Sequence, residues 1–116
     1  MNQGVVVVST NYRLGPWGFF YLNEKEEDQQ FQGNWGILDQ QAALKWVHAF
    51  AGLFGGDKDQ VTVTGSSAGS ASTFIHLALP SSWPYFKRAA PTGIGLQGMT
   101  KSPHKVKVSL SKIKKF

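Results

Sequence analysis

Val61-Thr-Val-Thr64 runs directly into Gly65-Ser-Ser-Ala-Gly69, and Ala71, Phe74, Ile75 and Ala78 then recur at helical spacing before Pro80. The first four residues are β-branched and too few for a helix, so they read as a strand. The next five are small and make a tight turn. The apolar residues beyond them define a helix that Pro80 ends. Strand, tight turn and helix in this order decide the fold class.

Working outward, Asn34 to Leu53 shows a second helical period. Leu38, Ala42, Trp46, Phe50 and Leu53 fall on one stripe. The spacing predicts a helix over about Ile37–Ala51, stopping at Gly52 or at Gly55-Gly56, with Asp39 in its first turn, where the dipole favours negative charge. Further upstream, Val5-Val-Val-Val8 reads as a short strand buried on both faces, and Asn11 to Gly18 as the loop that ends it. Phe19–Leu22 is apolar enough to dock that loop, and Asn23–Gln32 reads as an exposed polar excursion. Strands alternating with helices predict an α/β architecture with parallel pairing and the first helix on one face of the sheet. After Arg88 the periodicity fails. Residues 104–110 are a candidate third strand, and the lysine-rich ending reads as irregular.

Composition bounds the function. The chain has 116 residues, 41% of them hydrophobic, enough for one domain with a core. It has no cysteine, which excludes disulfides, thiolate metal sites and a cysteine nucleophile. No apolar run is long enough to span a bilayer, and no signal-peptide pattern opens the sequence. Charge is uneven. Residues 1–59 carry 4 basic and 7 acidic side chains, whereas residues 60–116 carry 8 basic and none acidic. Six lysines lie in the last sixteen residues, a tail suited to weak, salt-sensitive polyanion binding and not to specific nucleic-acid recognition. Trp17, Trp35, Trp46 and Trp83 are expected to pack and not to stack on bases. Gly93-Ile-Gly-Leu-Gln-Gly98 fits a dinucleotide fingerprint only formally. Pro91 precedes it and no acidic residue follows it. No cofactor or metal is expected.

Gly65-Ser-Ser-Ala-Gly69 fits G-x-S-x-G, with Ser67 at its centre. A serine nucleophile needs a sharp strand-to-helix turn that exposes its hydroxyl, and Gly65 and Gly69 allow strand and helix to approach. The Ala68 N–H and the helix N-terminus then face a developing oxyanion. Alone, the pattern also suits a Gly/Ser linker. The strand before it and the helix after it favour the elbow.

The wider sequence resembles the type-B carboxylesterase and cholinesterase family of α/β hydrolases. The resemblance rests on Val5-Val-Val-Val-Ser-Thr-Asn-Tyr-Arg-Leu-Gly15, Gly33-Asn-Trp-Gly-Ile-Leu-Asp-Gln40, Ala43-Leu-Lys-Trp-Val47, Phe54-Gly-Gly-Asp57, the elbow, and Phe86-Lys-Arg-Ala89. It covers about residues 5–89, in order. It implies a partial α/β-hydrolase domain over residues 1–89, with a Gly/Lys-rich tail over 90–116. It also implies hydrolysis of a small carboxylic ester through an acyl-serine at Ser67, and a structural pair between Arg13 and Asp39. Family members are often secretory.

The sequence also departs from the family. Ser66 stands where a Glu is common, and Lys58 where a Pro is usual. No Asp or Glu follows Ser67, so the chain has no orienting acid in the expected order. His76 is nine residues beyond Ser67, roughly 13 Å along a helix, too far to act as base. His48 reads as a surface residue, and His104 lies in the tail. The sequence thus reads as the nucleophile-bearing portion of a larger hydrolase, inactive alone. The alternatives are a noncatalytic interaction or adhesion module with the same fold, or a truncated product without activity.

Overall fold

The computed structural model describes residues 4–21 and 33–93. The polar excursion, the candidate strand at 104–110, His104 and the lysine-rich tail fall outside these residues.

Helix α1 spans Gly15–Phe19, α2 Trp35–Phe50 and α3 Ala68–Ala78. Strand β1 is Thr62–Ser66 and strand β2 is Arg88–Thr92, and they pair in parallel with Thr62 opposite Arg88 and Ser66 opposite Thr92. Helix α3 connects the two strands and packs on both. The crossover helix of this sheet is therefore α3. Helix α2, placed on the sheet by the sequence, instead packs against α1 and the 3-10 turns at 58–60 and 80–85.

Strand β2 was not legible as a strand because Arg-Ala-Ala-Pro-Thr has little β propensity and contains a proline, which cannot donate to a ladder. Its pairing draws on side chains as well as backbone. Thr64 Oγ1 donates to the Ala90 carbonyl at 2.7 Å, and Thr92 Oγ1 donates to the Gly65 carbonyl at 3.1 Å. The strand crosses residue 89, where the family-like motifs end.

Val5–Val8 is not a strand among the described residues. The four side chains are 43–86% exposed. An extended segment becomes a strand only when a neighbour completes its ladder, and no described residue does so. Instead, Val5, Val6 and Val8 face β1 and α2 across an open cavity of about 790 Å³, lined also by Val61, Val63 and Val47.

Residues Gly15–Phe19 form a helical turn where a loop was expected. Pro16 stands at the start of that turn, where its missing N–H costs nothing. Gly18 sits so close to the Arg13 carbonyl that a Cβ there would overlap it. Gly36 makes the same approach from α2, with the Arg13 carbonyl oxygen 2.5 Å from the position of a Cβ. The Arg13 backbone is thus held between two glycines of different helices.

Helix α2 begins at Trp35, two residues earlier than the spacing predicts, after Asn34 in a left-handed conformation (φ 59°). Asp39 therefore lies beyond the first turn. The stripe of Leu38, Trp46, Phe50 and Leu53 faces outward, with Leu53 81% exposed. The buried face of α2 carries Gly36, Ile37, Gln40 and Gln41. The helix tightens into a 3-10 turn at Ala51–Phe54 and stops at Gly55, φ 77°.

The tryptophans pack less than expected. Trp17 is 83% and Trp83 55% exposed, although the Trp83 indole donates to the Leu77 carbonyl at 2.9 Å. Trp46 contacts Phe50 and Phe54 with ring centroids 5.3 and 5.9 Å away. No helix among the described residues is long and apolar enough to cross a membrane.

Candidate functional site

The site forms where β1 meets α3. Ser67 occupies the junction with φ 54° and ψ −115°, outside the regions an L-residue ordinarily adopts. Such a conformation costs on the order of 1–3 kcal/mol and persists only where neighbours enforce it. Three contacts do so. The Ser67 N–H donates to the Thr92 carbonyl at 3.3 Å, its carbonyl accepts from the Ala71 N–H at 3.1 Å, and the backbone of Gly69 crowds Gly65.

The two motif glycines play different parts. A Cβ on Gly65 would stand 2.5 Å from the Gly69 carbonyl oxygen and 2.8 Å from the Gly69 Cα. A Cβ on Gly69 would meet nothing within 4 Å. Gly65 is thus required by the close approach of strand and helix, and Gly69 supplies the backbone that does the crowding. Gly93, with φ +98°, brings its Cβ direction within 3.5 Å of the Ser67 nitrogen and closes the other side of the turn.

Ser67 and Ala68 are exposed. Ala68 is the first residue of α3, so its N–H has no intrahelical acceptor and lies at the positive end of the helix. The arrangement presents one hydroxyl beside one oriented N–H donor, the elements an acyl transfer needs at the attacked carbonyl.

His76 lies elsewhere. It is buried, and both ring nitrogens are engaged: Nδ1 with Ser82 Oγ at 2.9 Å and Nε2 with Gln40 Oε1 at 3.1 Å. Burial pushes its pKa below the usual imidazole value. His48 is half-buried, not a surface residue. Its ring meets Tyr85 edge-on at 5.8 Å, and its Nδ1 has no hydrogen-bond partner. Among the described residues no His or carboxylate cluster suits a metal.

Arg13 and Asp39 form a forked ion pair. Arg13 Nε donates to Oδ2 at 2.8 Å, Nη2 to Oδ1 at 2.7 Å, and the Arg13 backbone N–H to Oδ2 at 3.0 Å. The guanidinium also lies over the Trp35 ring, 5.6 Å from its centroid. These hydrogen bonds, side-chain first, hold the Asp39 carboxyl down at about 2. The pair ties the segment before α1 to α2.

Sequence reasoning missed the polar layer between α2 and α3. Gln40 Nε2 donates to Ser72 Oγ at 3.1 Å, and Gln41 Nε2 to Ser81 Oγ at 2.7 Å and Ser82 Oγ at 3.1 Å. Adjacent glutamines on a helix read as a solvated face. The available signal was that Ser72, Ser81, Ser82 and His76 offer enough partners for buried amides.

Comparison with known proteins places this geometry. Residues 1–110 match the sequence model of the Carboxylesterase family. Acetylcholinesterase 1 of Caenorhabditis elegans is 46% identical over 89 residues, which cover 77% of this chain and 14% of that protein. Para-nitrobenzyl esterase of Bacillus subtilis (strain 168) is 46% identical over 97 residues, 84% of this chain and 19% of that protein. The crystal structure of a Geobacillus stearothermophilus carboxylesterase superposes with a TM-score of 0.77 at 40% identity, covering 84% of this chain and 21% of that one. The chain thus spans about a fifth or less of these relatives, and its strands and helices are part of an α/β-hydrolase fold. On a match that extends over nearly its whole length, the chain belongs to the carboxylesterase family.

Proposed function

We propose that this chain carries the nucleophile of a carboxylic ester hydrolase. Ser67 Oγ would attack the ester carbonyl, its proton passing to a base. The alcohol would leave with a proton, and water would release the acid from the acyl-serine. The Ala68 N–H would hold the oxyanion. The observation that carries this reading is the Ser67 backbone, which stays at φ 54° and ψ −115° because Gly65 lets α3 close on β1. The names of the relatives, esterases and acetylcholinesterases, support a carboxylic ester as substrate class.

The base and the orienting acid would come from sequence other than this chain. No Asp or Glu follows Ser67, and His76 has both ring nitrogens committed. We therefore propose negligible ester turnover by the chain alone, at most the residual effect of an oxyanion donor. Fluorophosphonate labelling tests the nucleophile in a chimaera that carries residues 5–89 in place of the matching segment of the Bacillus subtilis para-nitrobenzyl esterase, with Ser67→Ala as control. Modification confined to Ser67 supports it, and a folded chimaera that stays unmodified counts against it; the chain alone, with its site incomplete, is expected to stay unmodified. Ester hydrolysis that Ser67→Ala abolishes would overturn the proposal of inactivity.

A further inference from the structure

We propose that Gln40 is a positioning residue for the elbow, fixing the first turn of α3 through Ser72 while holding His76 in its Nε2–H tautomer. The inference rests on the reading of Ser67 as nucleophile, which gives the position of that turn its importance.

The argument is one of proton accounting. Ser72 Oγ lies 3.0 Å from the Ala68 carbonyl and 3.1 Å from Gln40 Nε2. A hydroxyl has one proton. Ser72 spends it on the Ala68 carbonyl, which can only accept, so it must itself accept from Gln40. That fixes the Gln40 amide with Nε2 toward Ser72 and Oε1 toward His76. Turning the amide over would demand the Ser72 proton in two places.

With Oε1 facing it, His76 Nε2 must donate, and the neutral ring then has an acceptor at Nδ1. Ser82 donates to it. It accepts from Gln41 Nε2 and gives its own proton to His76 Nδ1. The result is a single directed chain of five hydrogen bonds, Gln41 to Ser82 to His76 to Gln40 to Ser72 to the Ala68 carbonyl. Gln40, Gln41, His76 and Ser82 are all buried, where a broken link would leave a desolvated group unpaired. Directed chains also polarise from one end to the other. This one starts on α2 and ends one residue after Ser67. Gln40 joins α2 to Ser72, whose hydroxyl closes on the first turn of α3 at the Ala68 carbonyl.

The test is NMR on the full chain. The His76 ring nitrogens of the unaltered protein should report the Nε2–H tautomer. Gln40→Glu keeps an acceptor for His76 but loses the donor to Ser72. It should keep a proton on His76 Nε2 and still move the amide resonances of Ser67, Ala68 and Gly69. Gln40→Leu should lose both, and Ser72→Ala, which removes the group that orients the amide, should shift the same three amides and release the tautomer. A role in packing alone would not separate these variants. An Nδ1–H tautomer in the unaltered chain overturns the proposal, as do elbow amides that stay in place in both Gln40→Glu and Ser72→Ala. Failure of fluorophosphonate to modify Ser67 in the chimaera would remove the nucleophile reading and leave these spectra of the chain unchanged, so the two failures are distinguishable.

Discussion

The carbonyl oxygen of Gly69 lies 2.5 Å from the point where a Cβ on Gly65 would stand, while Gly69 itself faces open space. The two glycines of one motif therefore differ in what they tolerate. Gly65→Ala forces strand and helix apart and is expected to destabilise by about 1–3 kcal/mol. Gly69→Ala adds a helix former to the first turn of α3 and is expected to be neutral or to stabilise by about 0.5–1 kcal/mol. Urea midpoints of the two variants check the contrast, and equal losses would refute it.

Removing the Ser67 side chain separates strain from chemistry. Both Ser67→Gly and Ser67→Ala lose the hydroxyl, but only glycine adopts φ 54° and ψ −115° without strain. Ser67→Gly is expected to unfold at the higher denaturant concentration, by roughly 1 kcal/mol or more in stability. Coincident unfolding curves would mean that the turn stores no strain.

Asp39 should make stability fall in acid. Its folded pKa of about 2 lies below the ordinary 3.8 because Arg13 donates to it through side chain and backbone. The unfolded chain thus takes up this proton first. The stabilisation is complete above 3.8 and fades as pH falls toward about 2. Asp39→Asn should be less stable than the unaltered chain at neutral pH, with the gap closing across that window. A gap constant from pH 7 downward through the window would argue against the pairing.

His76 acts in a higher range. Burial depresses its folded pKa below 6.5, so between the two values the unfolded state binds the extra proton. Its contribution is full above 6.5 and declines as pH drops toward the folded value. His76→Asn is expected to flatten that part of the stability profile. A profile that keeps its slope in the variant would assign the proton to another group.

The strand, turn and helix of 61–78 were legible in the sequence because their determinants are local: a β-branched run, two glycines and a helical period within eighteen residues. The sheet was not. A strand exists only with a partner, and composition favoured Val5–Val8, which has no described partner, over Arg88–Thr92, which has one in β1. Helix α2 was found, but its buried face was not. Periodicity locates an apolar stripe without saying what covers it, and Leu38, Trp46 and Phe50 remain 42–46% exposed while Gln40 and Gln41 are inside. Buried glutamines are invisible to hydropathy because their burial depends on hydrogen-bond partners thirty and more residues away, Ser72, His76, Ser81 and Ser82.

The Arg13 carbonyl seated between Gly18 and Gly36 has an evolutionary consequence. It cinches the chain at the neck of the stretch that separates α1 from α2. The entropy of closing such a stretch grows only with the logarithm of its length, about 0.6 kcal/mol for each doubling. Insertions and deletions between residues 22 and 32 should therefore be the cheapest length changes open to this part of the chain. Across related sequences, variation in length should gather there, while Arg13 keeps its spacing to Gly18 and Gly36 keeps its spacing to Gly65.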